Sequence, residues 1–364
     1  MHTTRSLITT LFFCLVLSGC SSQAPIVRTE RYFWPPLPDN PRIEWIKSYS
    51  SQLDIERSQY QLLMEKLIGS DNPLFLMKPV DVKSDPAHKR VFVSDIGAGT
   101  VYVFDEQQHE LRQLRTEGLE PAVQITSPLS IGIHSNGDIY VLDRRASALI
   151  VFTPDEKAKQ VIPLDSITQR PISFTIDSRR QRLLVSDGSQ HRIHILDMKG
   201  KPIASFGKPG DKDGEFNLPV STAVTAQGDI VVADAFNARI QIFDPSGTHI
   251  RTFGSRGTGD GSFQLIKSVA VDSEDHIYVV DGRQHRVSIF DRTGQLLLIF
   301  GDFYAVSQSG KRAPGGFSVP VAIDIDSTDR IYIVDQLNAR VQVFQYLSAS
   351  YTSRFPVPSS RTAP

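Results

Sequence analysis

The chain has 364 residues, 40% of them hydrophobic and 22% charged, a composition able to bury a sizeable core. Lysine and arginine number 39 against 40 aspartates and glutamates, a formal net charge of -1. With no basic excess to neutralise phosphates, nucleic acid is a poor candidate partner.

Residues 1–19 read as an export signal. Met1 to Ser6 carries Arg5 and no acid, and Leu7 to Leu17 is apolar except for Thr9 and Thr10. That run is too short to span a bilayer as a mature helix. Leu17-Ser18-Gly19-Cys20 resembles the bacterial lipobox. The resemblance implies that the Cys20 thiol takes a diacylglyceryl group, that the bond before it is cut, and that the new amine is acylated. Several acyl chains hold a protein firmly where one is marginal. A lipid-anchored protein of the bacterial cell envelope follows, and Ser21 resembles the residue that sends lipoproteins to the outer membrane. Cys14, the only other cysteine, lies in the discarded segment, so no disulfide framework is available.

Residues 20–41, with Pro25, Pro35, Pro36, Pro38 and Pro41, read as a semi-extended tether. Residues 42–50 contain the β-rich run Ile43–Tyr49. Residues 51–74 form a connector in which Tyr60, Leu63, Leu67 and Ile68 have helical spacing, predicting a short helix packed on the main domain through that face. Residues 347–364 read as a flexible tail.

From about Met77 the chain repeats itself. An apolar strand is followed by a line such as Ile277-Tyr-Val-Val-Asp281, then by an alternating strand such as Val287-Ser-Ile-Phe290. The recurring aspartates are Asp95, Asp143, Asp187, Asp234, Asp281 and Asp335, making six copies between residues 75 and 346. Asp197-Met-Lys-Gly200, Asp244-Pro-Ser-Gly247 and Asp291-Arg-Thr-Gly294 supply hairpin turns with glycine where positive φ is needed. Each unit therefore holds four short antiparallel strands, whose apolar faces are covered if six units stack around an axis. Phe253-Gly254-Ser-Arg-Gly257-Thr-Gly259-Asp-Gly261-Ser-Phe263 and Asp234-Ala-Phe-Asn237-Ala-Arg239 resemble NHL repeats. The resemblance implies an all-β, six-bladed propeller. Unit six lacks a fourth strand, and Ile43–Tyr49 is predicted to supply it and close the ring. Lys83 and Asp324 occupy matching inner positions in units one and six and are expected to pair if it does.

Four units share Asp-x-x-[Gln/Asn]-x-Arg: Asp187 with Arg192, Asp234 with Arg239, Asp281 with Arg286, and Asp335 with Arg340. Four intervening residues suit a hairpin loop, so each carboxylate is expected to bind its guanidinium and the loop amides together. These aspartates end second strands, one strand out from the axis, which keeps them from converging on one ion. Propeller hydrolases of the gluconolactonase-like kind place metal ligands on inner strands. The matching positions here are Asp81, Ser130, Ser173, Ser221, Ser268 and Ala322, a poor set for Ca²⁺. His191 and His285 match each other, but their units are not adjacent, and they read as solvated loop histidines. Gly254–Gly261 lacks the Gly-Lys-Ser/Thr ending of a phosphate loop. Neither a metal site, a cofactor nor a catalytic set is assigned.

The expected function is that of a membrane-anchored binding or scaffold propeller for an envelope or extracellular protein or glycan, without catalysis. The alternative is a periplasmic hydrolase or lyase acting in the central channel. Candidate binding residues are Arg144, Arg145, Arg283, His285, Tyr304, Lys311 and Arg312, on the second-to-third-strand loops and the longest crossover, where rigid scaffolds often carry function.

Overall fold

A computed structural model describes residues 31–68, 73–119, 123–306 and 313–357. The N-terminal run read as an export signal, with Cys20, and the candidate residues Lys311 and Arg312 lie outside the described residues. The unit from Tyr32 onward is a six-bladed β-propeller.

Blade one is Pro79–Asp85, Arg90–Asp95, Thr100–Asp105 and Glu110–Gln113, hydrogen-bonded in that order. Blades two to five repeat the plan, starting at Pro128, Pro171, Pro219 and Ile266. The inner strands neighbour one another in sequence order, and Pro320–Ile325 of blade six returns to Pro79–Asp85 of blade one. Second and third strands are buried on both faces: Arg90–Asp95, Thr100–Asp105, Ile139–Asp143 and Ala148–Phe152 contain no exposed residue. Their continuous apolar runs follow from sheets packed face to face on both sides. Fourth strands face outward, and Pro202–Phe206 is exposed except at its end.

Every inner strand carries a register irregularity at the same place, for example between Pro79 and Asp81 and between Pro320 and Ala322. Such a bulge re-aims the next side chain, and here it sets the ring Asp81, Ser130, Ser173, Ser221, Ser268 and Ala322. At three crossovers a phenylalanine wedges between blades, with Phe216, Phe263 and Phe317 all fully buried. The preceding Phe-Gly pair makes room. Gly207, Gly254 and Gly301 have φ of +89°, +85° and +99°, and a Cβ on each would meet the wedge ring at 2.3, 2.4 and 2.7 Å. Only glycine fits both the backbone and the approach.

Blade six is closed by the N-terminal segment. Strand β1 (Phe33–Trp34) and strand β2 (Ile43–Tyr49) join the sheet in the order β1, β2, Arg340–Tyr346, Arg330–Asp335, Pro320–Ile325. β2 runs antiparallel to Arg340–Tyr346, from Ile43 opposite Tyr346 to Tyr49 opposite Val341. Ile43 and Phe344 are fully buried.

Three segments differ from the sequence reading. The proline-rich tether ends earlier than residue 41, because Trp34 packs on Phe300 and Phe344 at ring separations of 6.0 and 5.7 Å. Helix α1 (Gln59–Ile68) forms, but its apolar stripe does not pack on the propeller. Tyr60, Leu63 and Leu67 are 70%, 53% and 69% exposed, and the Ile68 side chain lies outside the described residues. The polar Gln61 makes the attachment, its Nε2 donating to the His109 carbonyl at 2.9 Å. Within 347–364, helix α2 (Ala349–Arg354) replaces part of the expected tail. Ser348 caps it, and Leu347 N–H donates to the Arg42 carbonyl at 2.7 Å.

Candidate functional site

The channel wall is built from inner-strand side chains that reach the backbone of the next blade. Asp81 accepts Ile131 N–H at 2.8 Å, Ser173 donates to the Val220 carbonyl at 2.9 Å, and Ser221 accepts Val269 N–H at 3.2 Å. Thr175 Oγ1 donates to the Thr222 carbonyl at 2.7 Å. Small polar residues at these positions thus join blades, which explains their recurrence without a ligand. Asp81 is half-buried. Burial raises its pKa to about 6 against the opposing pull of Lys83. At the seam of blades six and one, Lys83 Nζ lies 2.5 Å from Asp324 Oδ1.

The six second-strand aspartates are at most 1% exposed. Each ties the crossover before its blade to the loop after its strand. Asp95 accepts Met77, Lys78, Gly97 and Ala98 N–H groups. Asp143 accepts those of Thr126, Ser127, Arg145 and Ala146.

The expected aspartate–arginine ion pair forms in two of the four units. Arg239 Nε and Arg340 Nε each lie 2.8 Å from the Oδ2 of Asp234 and Asp335. Arg192 and Arg286 sit opposite Asp187 and Asp281 in the ladder, yet their Nε atoms are buried without a partner. The loop sequence decides. In Asp187-Gly-Ser-Gln and Asp281-Gly-Arg-Gln, the N–H groups two and three residues on turn back to Oδ1. In Asp234-Ala-Phe-Asn and Asp335-Gln-Leu-Asn, the loop is a 3-10 turn whose first N–H groups bond the crossover carbonyls instead. The carboxylate then takes the Asn237 or Asn338 amide and the arginine.

His191 and His285, read as solvated loop residues, are latches as well. Their Nδ1 atoms accept Leu218 N–H at 2.9 Å and Val319 N–H at 3.1 Å from the next crossover. A histidine that caps the following blade's entry is invisible to sequence spacing alone.

Of the candidate binding residues, Arg144, Arg145 and Arg283 are exposed on second-to-third-strand loops. Blades two and five lie across the ring from each other, so blade two's arginines are not brought beside Arg283. His285 is half-buried and packs on Phe303 at 4.9 Å between ring centroids, while Phe303 is 53% exposed. Tyr304 is half-buried, its N–H donating to the Phe317 carbonyl and its own carbonyl accepting from Asn338. Arg283, His285 and Phe303 therefore form one surface at blade five and the crossover into blade six.

A cavity of about 740 Å³ opens on the opposite face, at the seam of blades six and one. It is bounded by the turns near Lys89 and Thr328, by Tyr49 of β2 and by Ser348–Phe355 around α2. No spacing argument pointed to it, because both walls that make it unique lie outside the repeats.

Residues 218–300, covering blades four and five, match a family described as a 6-bladed beta-propeller. No curated protein sequence matches the chain. Among solved structures, a streptogramin B lyase is similar at 12% identity and TM-score 0.51, over 74% of this chain and 94% of that one. Selenomethionine-substituted virginiamycin B lyase from Staphylococcus aureus is similar at 11% identity and TM-score 0.51, over 74% and 95%. A chain of a nidogen/laminin complex matches at 16% identity and TM-score 0.49, over 63% and 83%. At such identities the likeness to the lyases is one of fold alone. The protein is similar to this family and to these structures as a six-bladed β-propeller.

Proposed function

We propose that this chain is a lipid-anchored envelope protein of NHL-repeat type that binds a protein or glycan partner through the face of its second-to-third-strand loops, without turnover. The observation that carries this reading is the surface of Arg283, His285 and Phe303. The Asp281 carboxylate holds the loop amides beneath Arg283, and His285 fixes the crossover beside Phe303. An exposed arginine and aromatic on latched backbone lose little freedom on binding, and these residue types anchor interfaces. The channel supports binding over catalysis, because Asp81 and Asp324 serve as joints between blades.

The test is capture of envelope partners by the full-length lipoprotein in detergent, compared with an Arg283→Ala/Phe303→Ala variant. Capture is expected to fall at least about tenfold, the scale of a 1.4 kcal/mol loss, while thermal unfolding stays within roughly 2 °C of the parent. Equal capture by the variant overturns the assignment of the face.

A further inference from the structure

We infer that the seam cavity between blades six and one is a binding site for an anionic saccharide. It lies on the face opposite Arg283 and Phe303, and its test is independent of that reading.

The charges lining the cavity divide into two groups. Each carboxylate is engaged: Asp85 by Arg90 at 2.6 Å, Glu106 by Lys47 and Tyr49, and Asp329 by the Ser273 N–H and hydroxyl at 3.0 and 2.9 Å. Arg90 is spent on Asp85 and Glu156. Lys89, Arg330 and Arg354 line the same cavity, are exposed, and make no ion pair among the described residues. Three uncommitted cations thus converge on one cavity of a chain whose net charge is -1. Together with Arg90 they exceed the lining carboxylates Asp85, Glu106 and Asp329 by one charge, and they are the charges left unpaired for a ligand.

The floor is preorganised. Gln345 Nε2 donates to the carbonyls of Thr328, Asp329 and Tyr346. Asp326 accepts from Thr328 and Arg330 N–H and from the Tyr332 hydroxyl. The turn presenting Arg330 is therefore locked before any ligand arrives.

The remaining lining sets the ligand class. Ser327 and Ser350 supply hydroxyls, the Thr328 hydroxyl being donated to Asp326 Oδ1 at 2.6 Å, and Tyr351 and Phe355, with ring centroids 5.0 Å apart, form an aromatic wall. Hydroxyl donors beside aromatic faces suit a sugar ring, and arginines suit its carboxylate. The cavity volume lies within the range of small-molecule sites. An acidic peptide fits less well, since the described lining is made of turns and side chains rather than a strand edge open to pairing.

Calorimetry on the full chain with digalacturonate, lactose and triglutamate tests the inference. Digalacturonate is expected to bind with Kd near or below about 1 mM, and lactose at least tenfold more weakly. Arg330→Ala/Arg354→Ala should weaken digalacturonate at least tenfold, and Lys89→Ala should weaken it measurably, each with an unchanged melting curve. Absence of digalacturonate binding up to about 10 mM overturns the proposal. So does equal affinity in the double variant, or tighter binding of triglutamate, which would make the site one for acidic peptides.

Discussion

Lys83 Nζ and Asp324 Oδ1 meet at 2.5 Å, joining the first inner strand of the ring to the last across 241 positions of chain. The other Asp324 oxygen accepts Ser84 N–H at 2.9 Å, so one carboxylate closes the channel wall twice. Burial works against the Lys83 charge, but Asp324 and Asp81 more than offset it and raise the lysine's pKa. Lys83→Met leaves Asp324 without its cation, which is expected to cost about 1–3 kcal/mol, below the full figure for a buried pair because Lys83 is partly wet. Urea unfolding of Lys83→Met, Asp324→Asn and the double variant checks this. A coupling energy near zero would show that the pair does not hold the seam.

Asp81 gives the channel a pH signature. Its folded pKa of about 6 is above the unfolded value, since burial disfavours the charged form. Between about pH 4 and 6 the folded state binds more protons at this site than the unfolded state, so this contribution raises stability as pH falls through that window. The difference in unfolding free energy between the parent and Asp81→Asn should therefore slope with pH, by at most about 1.4 kcal/mol per unit. A pH-independent difference would contradict the assignment.

Ring closure depends on β2. Ile43→Ala removes a fully buried side chain opposite Tyr346 and is expected to cost about 2–4 kcal/mol. Ile203→Ala, at a 60% exposed position of an outer strand, should stay within about 0.5 kcal/mol. Deleting 42–50 should give a destabilised, aggregating product, because it bares the edge of Arg340–Tyr346. Calorimetric melting of the three variants distinguishes these outcomes.

The two classes of latch differ in strength. Arg340, 2% exposed and bonded to Asp335 and the Gly316 carbonyl, should cost about 3 kcal/mol when replaced by alanine. Arg192→Ala should cost under about 1 kcal/mol, because Asp187 is already held by backbone amides. Equal losses in chemical denaturation would show that the loop sequence does not set the class.

Lipidation is tested directly. Labelled palmitate should enter the parent chain in a bacterial host, and Cys20→Ser should abolish it and impair processing. Labelling that persists in Cys20→Ser refutes the anchor.

The blade plan was legible because each level repeats: Asp-x-x-Gly turns, second strands ending in aspartate, and a missing fourth strand that Ile43–Tyr49 could fill. Lys83 and Asp324 were legible for the same reason, as equal positions in units made neighbours by closure. Individual hydrogen bonds were not. Whether the aspartate takes its arginine or loop amides depends on whether the loop winds into a 3-10 turn, as it does after Asp234 and Asp335, a local backbone choice that the shared motif hides. The stripe on α1 was misread because helical spacing shows that a face exists, not what covers it. The seam cavity escaped because its walls come from Tyr49 and Ser348–Phe355, segments with no counterpart in the other units.

The pairing of β2 with Arg340–Tyr346 also orders events in time. A ribosome delivers Ile43 first and Tyr346 roughly 300 residues later, and domains generally form as synthesis proceeds. Blades one to five can pair locally as they emerge, while β2 waits without its mate. Its closure spans nearly the whole chain, a contact whose entropic cost is met late. Until then the last seam, with the walls of its cavity, does not exist. The ring is therefore finished by a strand made near its start, and no nascent chain that stops short of Arg340–Tyr346 can be a closed one.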